Sequence, residues 1–149
     1  MAESRPKGIG RVGMVFSGGP APGANAVIAA AASAFRRSGR EVIGILRGYS
    51  HLHDREEGAP FREGVDFHTF KDSDLRGLRN RRGVLLGTAR TNPGREVNVP
   101  ADLDDPQKTA GLARVYDSLC RLDLDALISI GGDGTLRTAN LLYQYQQRL

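Results

Sequence analysis

Six residues near the end of the chain, Ile130-Gly131-Gly132-Asp133-Gly134-Thr135, constrain its fold more than any other feature. An apolar run, Ala126-Leu127-Ile128-Ser129-Ile130, leads into two glycines, a carboxylate, a third glycine and a hydroxyl. The segment that follows, Leu136-Arg137-Thr138-Ala139-Asn140-Leu141-Leu142, reads as a helix. Strand, glycine loop and helix start, in that order, aim backbone amides and the positive end of a helix dipole at a phosphate. The carboxylate in the middle suits the magnesium that accompanies polyphosphates. A plain glycine turn, with Asp133 as a turn former, is the competing reading of these residues taken alone.

The rest of the chain alternates in the same way. Residues 11–16 read as a buried strand, followed by a turn, Ser17-Gly18-Gly19-Pro20-Ala21-Pro22-Gly23, that opens a helix over 24–37. That helix is apolar around much of its circumference and so belongs in the interior. Gly39 ends it, and residues 41–46 form a second strand, which makes a βαβ unit with a right-handed crossover. Residues 48–64 lack periodicity and read as an exposed excursion. A short edge strand is expected over 66–70, a helix over 74–81 capped by Ser73, a strand over 84–87 and a loop over 88–94. A longer helix starts at Pro106 with Leu112, Val115, Tyr116 and Leu119 on one face. Residues 125–130 give the strand before the glycine loop, and the last helix runs from 135 towards the end. The expected fold is α/β, a doubly wound, mainly parallel sheet with helices on both faces and ligands at the carboxyl ends of its strands. Residues 1–10 are expected to be a disordered N-terminus, and 11–149 a single phosphate-donor-binding lobe.

Composition narrows the function. A chain of 149 residues supports one domain with a real core. The formal charge of +4 comes almost entirely from arginine, whose planar fork suits phosphate oxygens, although a basic solvated surface explains the charge as well. Tryptophan is absent and aromatics are 6% of the chain, so no nucleic-acid partner is expected. The single cysteine, Cys120, forms no internal disulfide and falls in an amphipathic pattern, which predicts a buried thiol and a cytoplasmic location. No apolar run approaches the ~18 residues of a membrane span, so no membrane partner is expected. His51 and His53 lie two apart in a polar stretch with no nearby cysteine or further histidine, which argues against a metal there.

Three loops are expected to open at one sheet edge: Gly18 to Gly23, Thr88-Ala89-Arg90-Thr91-Asn92, and Gly131 to Thr135. Two supply amides and close backbone approach, Arg90 supplies a positive fork, and Asp133 a metal ligand. With these residues in view the chain resembles the phosphofructokinase family. Ser17-Gly18-Gly19-x-Ala21-Pro22-Gly23-x-Asn25, Gly48-Tyr49, Gly87-x-Ala89-Arg90 and Gly131-Gly132-Asp133-Gly134-Thr135 occur in that family's order and at similar spacings. The resemblance implies Mg²⁺-dependent phosphoryl transfer to the 1-hydroxyl of fructose 6-phosphate in glycolysis. It implies a donor site at Gly18, Tyr49, Arg90, Thr91, Gly132, Asp133, Gly134 and Thr135, with Asp133 as the metal ligand. Arg90 would carry the transition-state charge, and the full-length form would be a homo-oligomer.

The chain departs from the family pattern in one decisive respect. A Thr-Ile-Asp-Asn-Asp motif, which carries the family's catalytic base shortly downstream of the glycine loop, is absent. The expectation is a truncated lobe that makes no product alone, so a non-catalytic nucleotide-binding fragment is the alternative. ATP is the expected donor, with pyrophosphate as the alternative. Gly134 leaves room for the α-phosphate of ATP, whereas Pro20 and Thr138 stand where many ATP-using members of that family carry an acidic residue and a glycine, and Arg90-Thr91-Asn92-Pro93 resembles the pyrophosphate-using branch. NAD kinases and diacylglycerol-type lipid kinases share Gly-Gly-Asp-Gly-Thr but lack the Gly18 to Asn25 loop.

Overall fold

The computed structural model describes residues 8–149. In chain order its elements are β1 (Arg11–Ser17), α1 (Ala24–Arg37), β2 (Glu41–Ile45), α2 (Ser50–His53), β3 (Phe67–Thr69), α3 (Asp72–Leu75), α4 (Ala110–Arg121), β4 (Ala126–Gly131) and α5 (Asp133–Gln146), with 3₁₀ turns at Leu78–Asn80 and Pro100–Asp104. Residues 1–7 of the expected N-terminal tail lie outside the described residues. Gly10, just before β1, is held by the Asp125 carboxylate, which accepts its amide at 2.8 Å.

β1 is buried along its whole length beyond Arg11, as a central parallel strand must be. It pairs in parallel with β2, Val12 opposite Val42, and with β4, Val12 opposite Ala126. β3 adds to β2 in antiparallel fashion, giving the order β3-β2-β1-β4. The sheet is therefore mixed and mainly parallel, with the expected edge strand at β3.

Side-chain alternation along the strands divides the interior between two faces. Met14, Phe16 and Val42 pack with Ile28, Ala29 and Ala32 of α1 and with Phe70, Leu78 and Leu86. Val15, Ile43 and Ile45 pack on the other face with Tyr49, Leu52, Leu112 and Val115 of α4, and Leu141 and Leu142 of α5. Helices thus cover both faces.

Several local expectations are corrected. Residues 84–87 form a turn and not a strand, closed by the Gly87 amide donating to the Val84 carbonyl at 2.9 Å. The reason is topological: β3 already occupies the outer edge of β2, and Leu86 instead drops its side chain against Gly44 and Phe70. The helix expected over 74–81 is broken by Gly77 in the left-handed region (φ 73°), leaving α3 and a separate 3₁₀ turn. Asp74 Oδ2 accepts the Lys71 amide at the start of α3, so Ser73 is not its cap. α4 begins at Ala110 and not at Pro106. Its buried face is Leu112, Val115 and Ser118, which turns Cys120 outward; the thiol is exposed and not in the core. The region 48–64 is no simple excursion, because it contains α2 and buries Tyr49 and Leu52.

Candidate functional site

β1 and β4 run parallel and stay in register to their ends, Ser17 opposite Gly131. Their two glycine loops consequently leave the same sheet edge. They approach so closely that a Cβ on Gly131 would lie 2.3 Å from the Ser17 carbonyl oxygen and 2.4 Å from Thr135 Oγ1. Only glycine fits there. The buried Thr135 hydroxyl donates to the Ser17 carbonyl at 3.0 Å, which fixes the first turn of α5 against β1.

The third loop, residues 88–92, does not follow a strand, contrary to expectation. It is tied to the first loop by three hydrogen bonds instead. Ser17 Oγ donates to the Ala89 carbonyl at 3.0 Å, the Gly18 amide donates to the same carbonyl at 3.2 Å, and Thr88 Oγ1 donates to the Gly18 carbonyl. Upstream, the buried Asn25 side chain holds the chain into this loop. Its Nδ2 donates to the carbonyls of Arg81 (3.1 Å) and Gly83 (2.6 Å), while Oδ1 accepts the Leu85 amide at 2.9 Å.

Between the three loops lies a cleft of about 300 Å³ lined by Ser17, Gly18, Gly19, Arg90, Thr91, Asn92, Gly132, Gly134, Thr135 and Thr138. Seven of the eight expected donor-site residues meet here: six line the cleft, and Asp133 stands between Gly132 and Gly134 with its side chain exposed. Gly132 and Gly134 differ from Gly131. A Cβ on either would meet nothing within 4 Å, and neither has a positive φ, so the fold itself does not demand glycine. What they preserve is empty space in front of the helix start.

The electrostatics of that space favour an anion. Gly132 flanks the N-terminus of the 14-residue α5, and the first helical bonds are made by the Thr135 and Leu136 amides to the Gly132 carbonyl. Among the described residues the Asp133 and Gly134 amides have no acceptor, which leaves them for a ligand at the positive end of the dipole. Among the described residues Arg90 has no hydrogen-bond or ion-pair partner, and neither does Asp133; both are exposed. The described residues contain no group of three His, Cys, Asp or Glu placed to hold a metal ion. One uncommitted carboxylate beside a phosphate-sized cleft does fit Mg²⁺ in the manner typical of that ion, with phosphate oxygens and water completing its shell.

Tyr49 is the expected residue that the structure does not bring to the cleft. Its ring is 1% exposed and packs in the core, and its hydroxyl shares a hydrogen bond of 2.9 Å with Ser129 Oγ. Burial pushes its phenol above the ordinary value, partly offset by Ser129. Ser17 and Asn25 stood in the first motif and Thr88 in the third loop, but none of the three was expected as a donor-site residue. Small hydroxyls beside loop glycines were the available signal for Ser17 and Thr88.

The family model of phosphofructokinase matches residues 11–149. The chain belongs to the phosphofructokinase family. It is 35% identical over 130 residues to the ATP-dependent 6-phosphofructokinase 3 of Bacteroides thetaiotaomicron, covering 87% of this chain and 34% of that protein. It is 36% identical over 133 residues to the ATP-dependent 6-phosphofructokinase of Aquifex aeolicus, covering 88% and 34% respectively. The chain thus spans about a third of the length of these curated relatives. Among solved structures, Pichia pastoris phosphofructokinase in the T-state superposes with a TM-score of 0.70 at 29% identity, over 91% of this chain and 12% of that one. The pyrophosphate-dependent phosphofructokinase of Marinobacter aquaeolei gives 0.67 at 16% identity over 94% and 30%, which is a likeness of fold.

Proposed function

We propose that this phosphofructokinase-family chain builds the phosphoryl-donor site of a 6-phosphofructokinase. The donor is ATP with Mg²⁺, and the acceptor in the complete enzyme is the 1-hydroxyl of fructose 6-phosphate. The observation that supports this most is the convergence of the Gly18, Arg90 and Gly132 loops on one cleft of about 300 Å³ at the carboxyl ends of β1 and β4. Phosphoryl transfer depends chiefly on positioning and charge neutralisation, and those are what this cleft offers. The amides at the start of α5 and the Gly19 amide receive phosphate oxygens. Arg90 lays its fork against the transferring group, and Thr91 lines the wall beside it. Asp133 would hold Mg²⁺, which would supply neutralising charge to the donor phosphates. Thr135 keeps the two glycine loops at the spacing a phosphate needs.

Two observations favour ATP over pyrophosphate. Gly134 keeps open space in front of the helix, and the Bacteroides thetaiotaomicron and Aquifex aeolicus relatives are described as ATP-dependent. Pyrophosphate is the second reading, supported by Asn92 and Thr138 in the cleft wall. The sequence contains no Thr-Ile-Asp-Asn-Asp motif to accept the sugar proton, so this chain alone binds donor without turnover. In the complete enzyme the reaction is the glycolytic one, carried out in the cytoplasm by a homo-oligomer.

Calorimetric titration of the chain with MgATP and with magnesium pyrophosphate tests this, with Asp133→Ala as control. Saturable binding that the substitution weakens, tighter for MgATP, supports the reading. Binding of neither donor overturns it, and fructose 1,6-bisphosphate formation by the chain alone overturns the inactivity.

A further inference from the structure

We propose that Thr88 is a positioning residue of the donor site, setting the places of both Arg90 and the Gly19 amide through its hydroxyl. The inference rests on the donor-site reading above. Arg90 has no side-chain partner among the described residues, so its location is set by its backbone alone. That backbone belongs to a loop outside the sheet, with no strand on its N-terminal side to anchor it. Thr88, two residues before Arg90, contributes the side chain that reaches from this loop back to the Gly18 carbonyl. The Gly18 amide returns to Ala89, so the two loops are clasped in both directions.

The clasp has a second consequence. A trans peptide is planar, and its carbonyl and following N–H point in opposite directions. Holding the Gly18 carbonyl on Thr88 therefore holds the Gly19 N–H pointing away from Thr88. Gly19 lines the cleft, and its amide has no acceptor among the described residues. Gly18 is at φ 99°, a conformation that glycine enters and leaves easily, so without the clasp this peptide is free to turn over. The Thr88 hydroxyl thus sets the direction of one amide donor and, with the Ser17 hydroxyl and the Gly18 amide on Ala89, the position of one guanidinium.

The test compares Thr88→Val, which removes the hydroxyl at nearly constant shape, with Thr88→Ser, which restores it. Affinities for MgATP and magnesium pyrophosphate are measured in the wild-type and Arg90→Ala backgrounds, and amide exchange of the free proteins is followed at Gly18 with Met14 as a core reference. We expect Thr88→Val to weaken donor binding by about tenfold, the scale of one lost hydrogen bond, and Thr88→Ser to stay near wild type. In the Arg90→Ala background the Thr88→Val penalty should shrink, because residues acting through one another are not additive. Gly18 should exchange faster in Thr88→Val relative to Met14 and not in Thr88→Ser. Equal penalties in both backgrounds, or an unchanged Gly18 rate, overturn the proposal. Should the wild-type chain bind neither donor, the donor reading fails, and the exchange data still decide whether Thr88 clasps the loops.

Discussion

Thr135 and Ser17, 118 residues apart, are joined by a buried hydrogen bond of 3.0 Å from hydroxyl to carbonyl. It links the last residue of β1 to the first turn of α5 at the point where Gly131 lets the two backbones touch. Thr135→Val should lower stability by about 1–2 kcal/mol, the range for losing one buried hydrogen bond. Urea denaturation reads the change, and Thr135→Ser should recover most of it. A Thr135→Val chain as stable as wild type would mean that the bond carries no weight in holding the loops together.

Gly134→Ala separates fold from function. Gly134 is helical and a Cβ there meets nothing, so the fold should accept alanine and gain roughly 0.5–1 kcal/mol from its better helix propensity. The same methyl projects from a residue that lines the cleft and so should weaken MgATP binding. A raised denaturation midpoint together with a weaker calorimetric Kd is the expected pair. If the variant binds MgATP as tightly as wild type, the space in front of α5 is not where the phosphates sit.

The fold was legible wherever a strand or helix had a full period of its own. β1, α1, β2, β4 and α5 stand within a few residues of their expected bounds, because Val12 to Phe16 or Leu141 and Leu142 announce burial by themselves. The segment 84–87 was not legible. Its apolar residues do enter the core, but strand formation needs a free sheet edge, and β3 holds the one beside β2. Cys120 misled for a related reason. It lies two positions past the end of the helical stripe that Leu112, Val115 and Ser118 define, and a polar serine marks the buried face. Ser118 is buried because its hydroxyl donates to the Leu52 carbonyl at 2.9 Å, a contact no local pattern encodes. At the site, the residues that line or flank the cleft were visible as glycines, Arg90 and Asp133. Those that hold them in place, Asn25, Ser17 and Thr88, act through contacts 56 to 72 residues away in sequence.

Tyr49 illustrates that difference and can be tested directly. Its hydroxyl is bound to Ser129 inside the core, away from the cleft. Tyr49→Phe should cost about 1 kcal/mol for the lost hydrogen bond and leave donor affinity within about twofold. Denaturation and titration of the same preparation supply both numbers. A large loss of affinity at unchanged stability would show that the phenol reaches the donor after all.

Asp102 should shape the acid limb of the stability profile. Its carboxylate accepts the Lys108 ammonium at 2.6 Å and the amides of Asn98 and Val99 at 2.8 and 3.0 Å. With Lys108 contributing most, these hold it at about 2, against an ordinary value of 3.8. A carboxylate lowered on folding stabilises the native state above its unfolded value, and that contribution fades as pH falls towards the folded one. The window here is from about pH 4 down to about pH 2. Asp66 and Asp74 are lowered as well, through Arg62 and Arg55 and through Lys71 and His68 outweighing burial, so Asp102 accounts for part of the acid limb. Asp102→Asn should therefore be less stable than wild type at pH 7, with the gap narrowing steadily below pH 4. Urea midpoints at pH 7, 5, 3.5 and 2.5 measure it. A gap that stays constant to pH 2.5 would mean that the charge on Asp102 contributes nothing, and that its role is only to accept the two amides that shape the turn before α4.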